Sequence, residues 1–173
     1  MNTINVRRLG AEEALSCAAS LAEVLLDCVE GGASVSFMLP LARERALRFW
    51  QEVADGIARG ERTLLVAEDE AGIAGTVQLI TAMPDNQPHR ADVAKLLVHR
   101  RARGAGIGRR LMQAAEDAAR TQGRRLLVLD TASATAERMY EGLGWQRVGT
   151  VPGYALLPQG GLCDTTFFYK HLA

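Results

Sequence analysis

Three glycines alternate at Gly104, Gly106 and Gly108 in the stretch HRRARGAGIGRR, with Arg103 before them and Arg109 and Arg110 after. An apolar run, Leu96–Val98, comes just before, and a helix-like pattern follows. Glycine lets backbone approach an oxygen without a Cβ in the way. A helix start offers unpaired N–H groups and the positive end of its dipole, and arginines at the rim add charge. The chemistry this spacing suits is anion binding, best matched by a phosphate or pyrophosphate. Two nucleotide motifs fail here. No Lys-Ser/Thr pair follows the glycines as a P-loop requires, and G-x-G-x-G lacks the G-x-G-x-x-G order of a dinucleotide fold.

What fits is R-x-x-G-x-G, formed by Arg103, Gly106 and Gly108. It resembles the coenzyme A pyrophosphate loop of the GNAT N-acetyltransferase family. The resemblance implies acetyl-CoA as cosubstrate, no metal, and contacts from Arg103, Gly104, Ala105, Gly106, Ile107, Gly108 and Arg109. A second constellation supports it: Ser133, Ala136 and Tyr140, with Gly144–Trp145 beyond, where Ser133 stands in place of the family's usual Asn. Ala136 and Tyr140 lie one helical turn apart on one face. The small residue leaves room for the coenzyme, and Tyr140 is implied as the acid that protonates the departing thiolate.

On the acceptor side, the family resemblance points to Asp92, near the start of the strand before the glycines, as a base for the attacking amine. Asp130, at the end of LVLDT, is a second carboxylate for the same work. The N–H of Leu97 or Val98 is expected to polarise the acetyl carbonyl. Ser34, Ser36 and Phe37 are expected to bound the acceptor pocket, with Tyr154 facing the same cleft and Gln78 as a polar anchor. GGASVSFM, RADVAKLLV, RARGAGIG, LVLDT and VPGYALLPQGGL are similar to the tabtoxin-resistance type of acetyltransferase. That implies direct transfer to a small-molecule amine, with a toxin, an antibiotic or an amino-acid-like compound among the candidates. Acetylation of a protein N-terminus or lysine, and a coenzyme-binding sensor without catalysis, stay open.

The elements that must position these groups read off the hydrophobic pattern. Thr3–Leu9 alternates as a strand. From Ala11 a helical pattern runs unbroken to Gly31–Gly32, and Pro40 is expected to open a second helix closed by Gly60. Two strands meet at a turn over Asp69–Gly72, and a third covers ADVAKLLVH. The helix Ile107–Thr121, the apolar strand RLLVLDT and the short helix TAERMYEGLGW follow. WQRVGTV and TTFFYKH close the chain as strands, joined by a loop, PGYALLPQGGLCD. Alternating strands and helices predict one α/β domain over residues 1–173. For that domain the family resemblance implies the GNAT fold, a mixed central sheet with splayed fourth and fifth strands flanked by helices.

The 173 residues are 48% hydrophobic and 23% charged, enough for one core that buries roughly two-thirds of the unfolded surface. A net charge of zero gives no overall basic field for nucleic acid. Cys17, Cys28 and Cys163 have no metal-like spacing and read as structural thiols. His89 and His99 have no partner pattern and read as surface residues. The first residues lack an apolar signal core, and no run reaches about 18 apolar residues. A cytoplasmic monomer or homodimer without membrane contact is expected.

Overall fold

The computed structural model describes residues 3–173. In chain order the elements are β1 (Asn5–Leu9), α1 (Ala11–Ser16), α2 (Ala18–Glu30), α3 (Arg43–Ala58), β2 (Arg62–Asp69), β3 (Gly72–Ile80) and β4 (Arg90–Val98). After a short 3-10 turn at Arg100–Ala102 come α4 (Ile107–Thr121), β5 (Leu126–Thr131), α5 (Ala134–Gly142), β6 (Gln146–Leu156) and β7 (Leu162–His171). The strands form one sheet in the order β1-β2-β3-β4-β5-β7-β6. Every neighbouring pair is antiparallel except β4–β5.

The period of two sorts the sheet residues between two helical layers. Leu65, Val77, Leu79, Ala91, Val93, Leu127 and Leu129 pack with Ile107, Leu111, Met112, Ala115 and Ala119 of α4. Leu64, Val66, Ile73 and Leu97 face the opposite side, against α1, α2 and α3. Gly75 brings α4 close to the sheet: a Cβ there would lie 3.0 Å from the Leu97 carbonyl and 3.1 Å from Ile107 Cγ2.

The parallel β4–β5 pair is short. Only Arg90, Ala91 and Asp92 pair with Leu126, Leu127 and Val128, and beyond them the two strands part. Just above, the β3–β4 register slips by one residue between Thr76 and Gln78. That bulge holds Lys95 at φ 52, in the left-handed region, at a cost of roughly 1–3 kcal/mol that the surrounding sheet must offset.

Three local expectations are corrected. The first helix is kinked at Cys17, although Cys17 N–H still donates to Glu13 and Leu21 N–H to Cys17; the bend lets α1 lie against α3 while α2 lies on the sheet. The second helix starts at Arg43, because Ala42 is extended and Pro40, after a cis peptide bond, belongs to the loop. Much of the supposed loop from Pro152 to Asp164 is strand: Pro152–Leu156 continues β6 and Leu162–Asp164 opens β7. A register shift between Val151 and Ala155 absorbs Pro152, which an edge strand tolerates because no neighbour needs its missing N–H.

Candidate active site

The strand-to-helix crossing is folded by its own arginines. His99 Nδ1 accepts the Arg101 N–H at 3.2 Å and so caps the 3-10 turn, half-buried rather than free at the surface. Arg100 gives Asp27 of α2 its backbone N–H at 2.8 Å and its Nε at 3.0 Å. Burial alone would raise the Asp27 pKa, but these hydrogen bonds outweigh it and hold the carboxylate below its ordinary value. Arg101 is spent on Asp69. Arg103 Nε donates to the Val98 carbonyl at 3.1 Å, and its side chain stays on the wall of the site.

Gly104 and Gly106 adopt φ 80 and φ 74, and a Cβ on either would project into empty space. Gly106 caps α4 with no side-chain partner. Among the described residues, no backbone or side-chain acceptor meets the N–H groups from Gly104 to Arg109. The loop therefore presents a row of free donors at a helix N-terminus, the arrangement that holds an anion.

This row opens into a cavity of about 920 Å³ that runs between β4 and β5. Leu97, Val98, Arg103, Gly104, Gly106, Ile107, Gly108, Arg109, Ser133, Ala136 and Tyr140 of the expected coenzyme set line it, and so does Asp130. Ser34 and Ser36 of the acceptor set also line it. Ala105 sits on the loop but off the wall. Ser133 caps α5, its hydroxyl accepting the Ala136 N–H at 3.2 Å. Tyr140 is 5% exposed, its ring against Phe168 and Trp145. Burial, with a smaller push from the Asp130 charge, raises its pKa well above 10.0, so the phenol keeps its proton at neutral pH. Asp130 Oδ2 accepts from Thr165 Oγ1 at 2.7 Å, which fixes the carboxylate at the cavity edge.

The backbone also distinguishes Leu97 from Val98. His99 N–H donates to Ala74 of β3 at 2.9 Å, so strand alternation turns the Leu97 N–H toward β3 and the Val98 N–H toward the gap.

Four further expected residues do not line the cavity. Asp92 lies where β4 and β5 are still paired and makes an ion pair with Arg90. Gln78 is buried in β3 and its Oε1 accepts from Arg62 at 2.9 Å. Phe37 belongs to the helical core, edge-on to Phe49 at 5.3 Å. Tyr154, on the outer part of β6, is 54% exposed and rests on Phe167.

One functional candidate was not singled out in the sequence. Lys95 lines the cavity and gives its ammonium to Ser36 Oγ at 3.2 Å. Its signal was there to read, as the one charged side chain in the AKLLV run. Among the described residues, no group of His, Cys, Asp or Glu is placed to hold a metal ion, and no helix is long and apolar enough to cross a membrane.

Comparison with known proteins agrees with this geometry. The chain is 37% identical over 106 residues to an uncharacterized N-acetyltransferase of the hisH–hisA intergenic region of Azospirillum brasilense, a match spanning 60% of this chain and 61% of that one. The Salmonella typhimurium protein yncA, solved with its cofactor acetyl-CoA, superposes with a TM-score of 0.80 at 20% identity, covering 99% of this chain and 95% of the other. The phosphinothricin acetyltransferase of Sinorhizobium meliloti, in complex with acetyl-CoA, gives a TM-score of 0.78 at 22% identity, covering 99% and 89%. The family model described as the acetyltransferase (GNAT) domain matches residues 60–147, just over half of the chain and the part that carries β2 to α5. The chain belongs to the GNAT acetyltransferase family.

Proposed function

We propose that the chain transfers the acetyl group of acetyl-CoA directly to the primary amine of a small molecule. The observation that carries this reading is a single continuous cavity. It joins the free N–H row of Gly104–Arg109 to Tyr140 and Asp130, across the gap between β4 and β5. The residues fit the coenzyme: the space a Cβ would take at Gly104 and Gly106 is the space a pyrophosphate needs, with Arg103 and Arg109 beside it.

Acetyl-CoA supplies an activated thioester carbonyl when bound. The residues of the chain divide the remaining work. Asp130 takes a proton from the acceptor ammonium, freeing the lone pair that attacks. The Val98 N–H, aimed into the gap, donates to the carbonyl oxygen as charge develops on it. Tyr140 delivers a proton to the departing sulfur, and its phenolate takes one back from the acetylated nitrogen, which loses this second proton to become the amide; the raised pKa keeps the phenol protonated until the thiolate leaves. Asp92, held by Arg90 outside the cavity, has no part in this scheme. The free thiols accord with a reducing cytoplasm as the working compartment.

Thiol release from acetyl-CoA over a panel of amino acids, polyamines, aminoglycosides and peptides tests the reading. Release with a small amine supports it; release with peptides alone moves the acceptor to a protein. Tyr140→Phe should lower kcat about 10- to 100-fold while leaving the Kd for acetyl-CoA within about twofold. An unchanged kcat would remove Tyr140 from the proton path.

A further inference from the structure

Among the described residues, only two non-glycine residues have positive φ: Ser36 at 79 and Lys95 at 52. They lie 59 positions apart, yet their side chains hydrogen-bond to each other at the acceptor end of the cavity. Two strained backbones meeting at one contact mark a place that the fold holds in a set geometry. The β4 bulge is the device, since the extra residue re-aims a strand side chain.

The charge there is not balanced. The Lys95 ammonium has three donors, and the Ser36 hydroxyl is the single hydrogen-bond partner it has among the described residues. The Phe49 ring lies 6.0 Å from Nζ, a contact that shields without neutralising. Burial weakens the basicity of Lys95, the Asp130 charge opposes that, and the nearby Arg62 guanidinium adds to it. No ion pair relieves the group, and a half-buried charge without one calls for an anion. The chain's other lysine shows the contrast: Lys170 meets Glu116 at 2.8 Å and the Leu143 carbonyl at 2.7 Å. All other basic positions in the sequence apart from the histidines are arginine, so the thin, single-point ammonium at position 95 stands out in a chain that otherwise favours the guanidinium fork.

We propose that the acceptor is a zwitterion: an amine whose molecule also carries an anionic carboxylate or phosphonate group, which Lys95 binds together with the Ser36 hydroxyl. The inference rests on the acetyl-transfer reading above and names its substrate class. The cavity then offers one fixed carboxylate, Asp130, to the amine end and one fixed ammonium, Lys95, to the acid end. Ser34, which donates to the Leu156 carbonyl at 3.5 Å, ties the loop carrying Ser36 to β6 and keeps this wall in place.

The test uses the purified chain, acetyl-CoA and matched acceptors: glycine, 3-aminopropionate and 4-aminobutyrate, their methyl esters, and the corresponding aminoalkylphosphonates. Wild type should favour at least one acid over its ester by about tenfold or more in kcat/KM, chiefly through KM, the scale of one charged hydrogen bond. The better of carboxylate and phosphonate identifies the anion. In Lys95→Met and Lys95→Gln the acid-to-ester ratio should collapse to about one, and Lys95→Arg should keep part of it. Equal use of acids and esters by wild type overturns the proposal while leaving acetyl transfer standing. So does a fall of both in parallel in the folded variants. Absence of thiol release from every acceptor overturns the acetyl-transfer reading itself.

Discussion

Gly106→Glu should bind acetyl-CoA at least about 100-fold more weakly than wild type by calorimetric titration, with its fold intact. Two effects add. At φ 74 any L side chain is strained, at a cost of roughly 1–2 kcal/mol. A carboxylate aimed at the pyrophosphate then meets like charge, which at about 4 Å and an effective dielectric of about 20 is worth about 4 kcal/mol. The Cβ itself meets no protein atom, so the loop has no steric reason to unfold. Gly106→Asn separates the two effects, because asparagine tolerates the left-handed region and carries no charge. It should lose about tenfold or less. A Gly106→Glu protein that binds acetyl-CoA as wild type does would mean that the N–H row serves some other ligand or none.

The largest expected effect on stability lies behind Tyr140. Glu116 of α4, 5% exposed, accepts from Trp145 Nε1 at 3.1 Å and from Lys170 Nζ at 2.8 Å. Three elements therefore share one carboxylate: α4, the turn after α5, and β7. In Glu116→Ala the Trp145 N–H stays buried without a partner and the half-buried Lys170 ammonium keeps only the Leu143 carbonyl, which together should cost about 3 kcal/mol. For a chain of this size that lowers Tm by roughly 10 °C. Glu116→Met with Lys170→Met should recover most of the loss, because removing both partners leaves no stranded charge. A Glu116→Ala protein that melts within about 1 °C of wild type would show the carboxylate to be idle. Trp145 packs on Tyr140 at 6.0 Å, so the single variant should also blunt turnover beyond its share of unfolded protein.

What was legible in the sequence was local. Positive φ and free N–H groups at Gly104 and Gly106 follow from the residue type and the helix start, and a spacing of four puts Ala136 and Tyr140 on one face. Asp130 closes an apolar strand, where parallel sheets place functional side chains. Strand periodicity, by contrast, says which residues share a face but not how far along a strand its neighbour stays paired. Asp92 shares a strand with the cavity-lining Val93 yet lies one residue short of the parting of β4 and β5. Gln78, between Val77 and Leu79 of the α4 face, looks to the other side of the sheet, where its Oε1 accepts from Arg62; Phe37, in the loop ahead of α3, packs edge-on to Phe49 and so joins the helical core. Lys95 escaped because the bulge shifts the period by one residue, and a register slip leaves no mark in the hydrophobic pattern. Pro152 marked a break in the sequence, but on an edge strand it interrupts nothing.

The short seam between β4 and β5 also bears on exchange with solvent. β4 is an inner strand of the seven, flanked by β3 and β5, and its amides would ordinarily be among the last to trade hydrogen for deuterium. The Val98 amide, turned into the gap, is instead exposed to water while its neighbour His99 is locked to Ala74. Adjacent amides in the middle of the sheet should thus exchange at very different rates, and the difference should narrow when the cleft is filled. A slow clock and a fast one sit one residue apart at the end of a single inner strand.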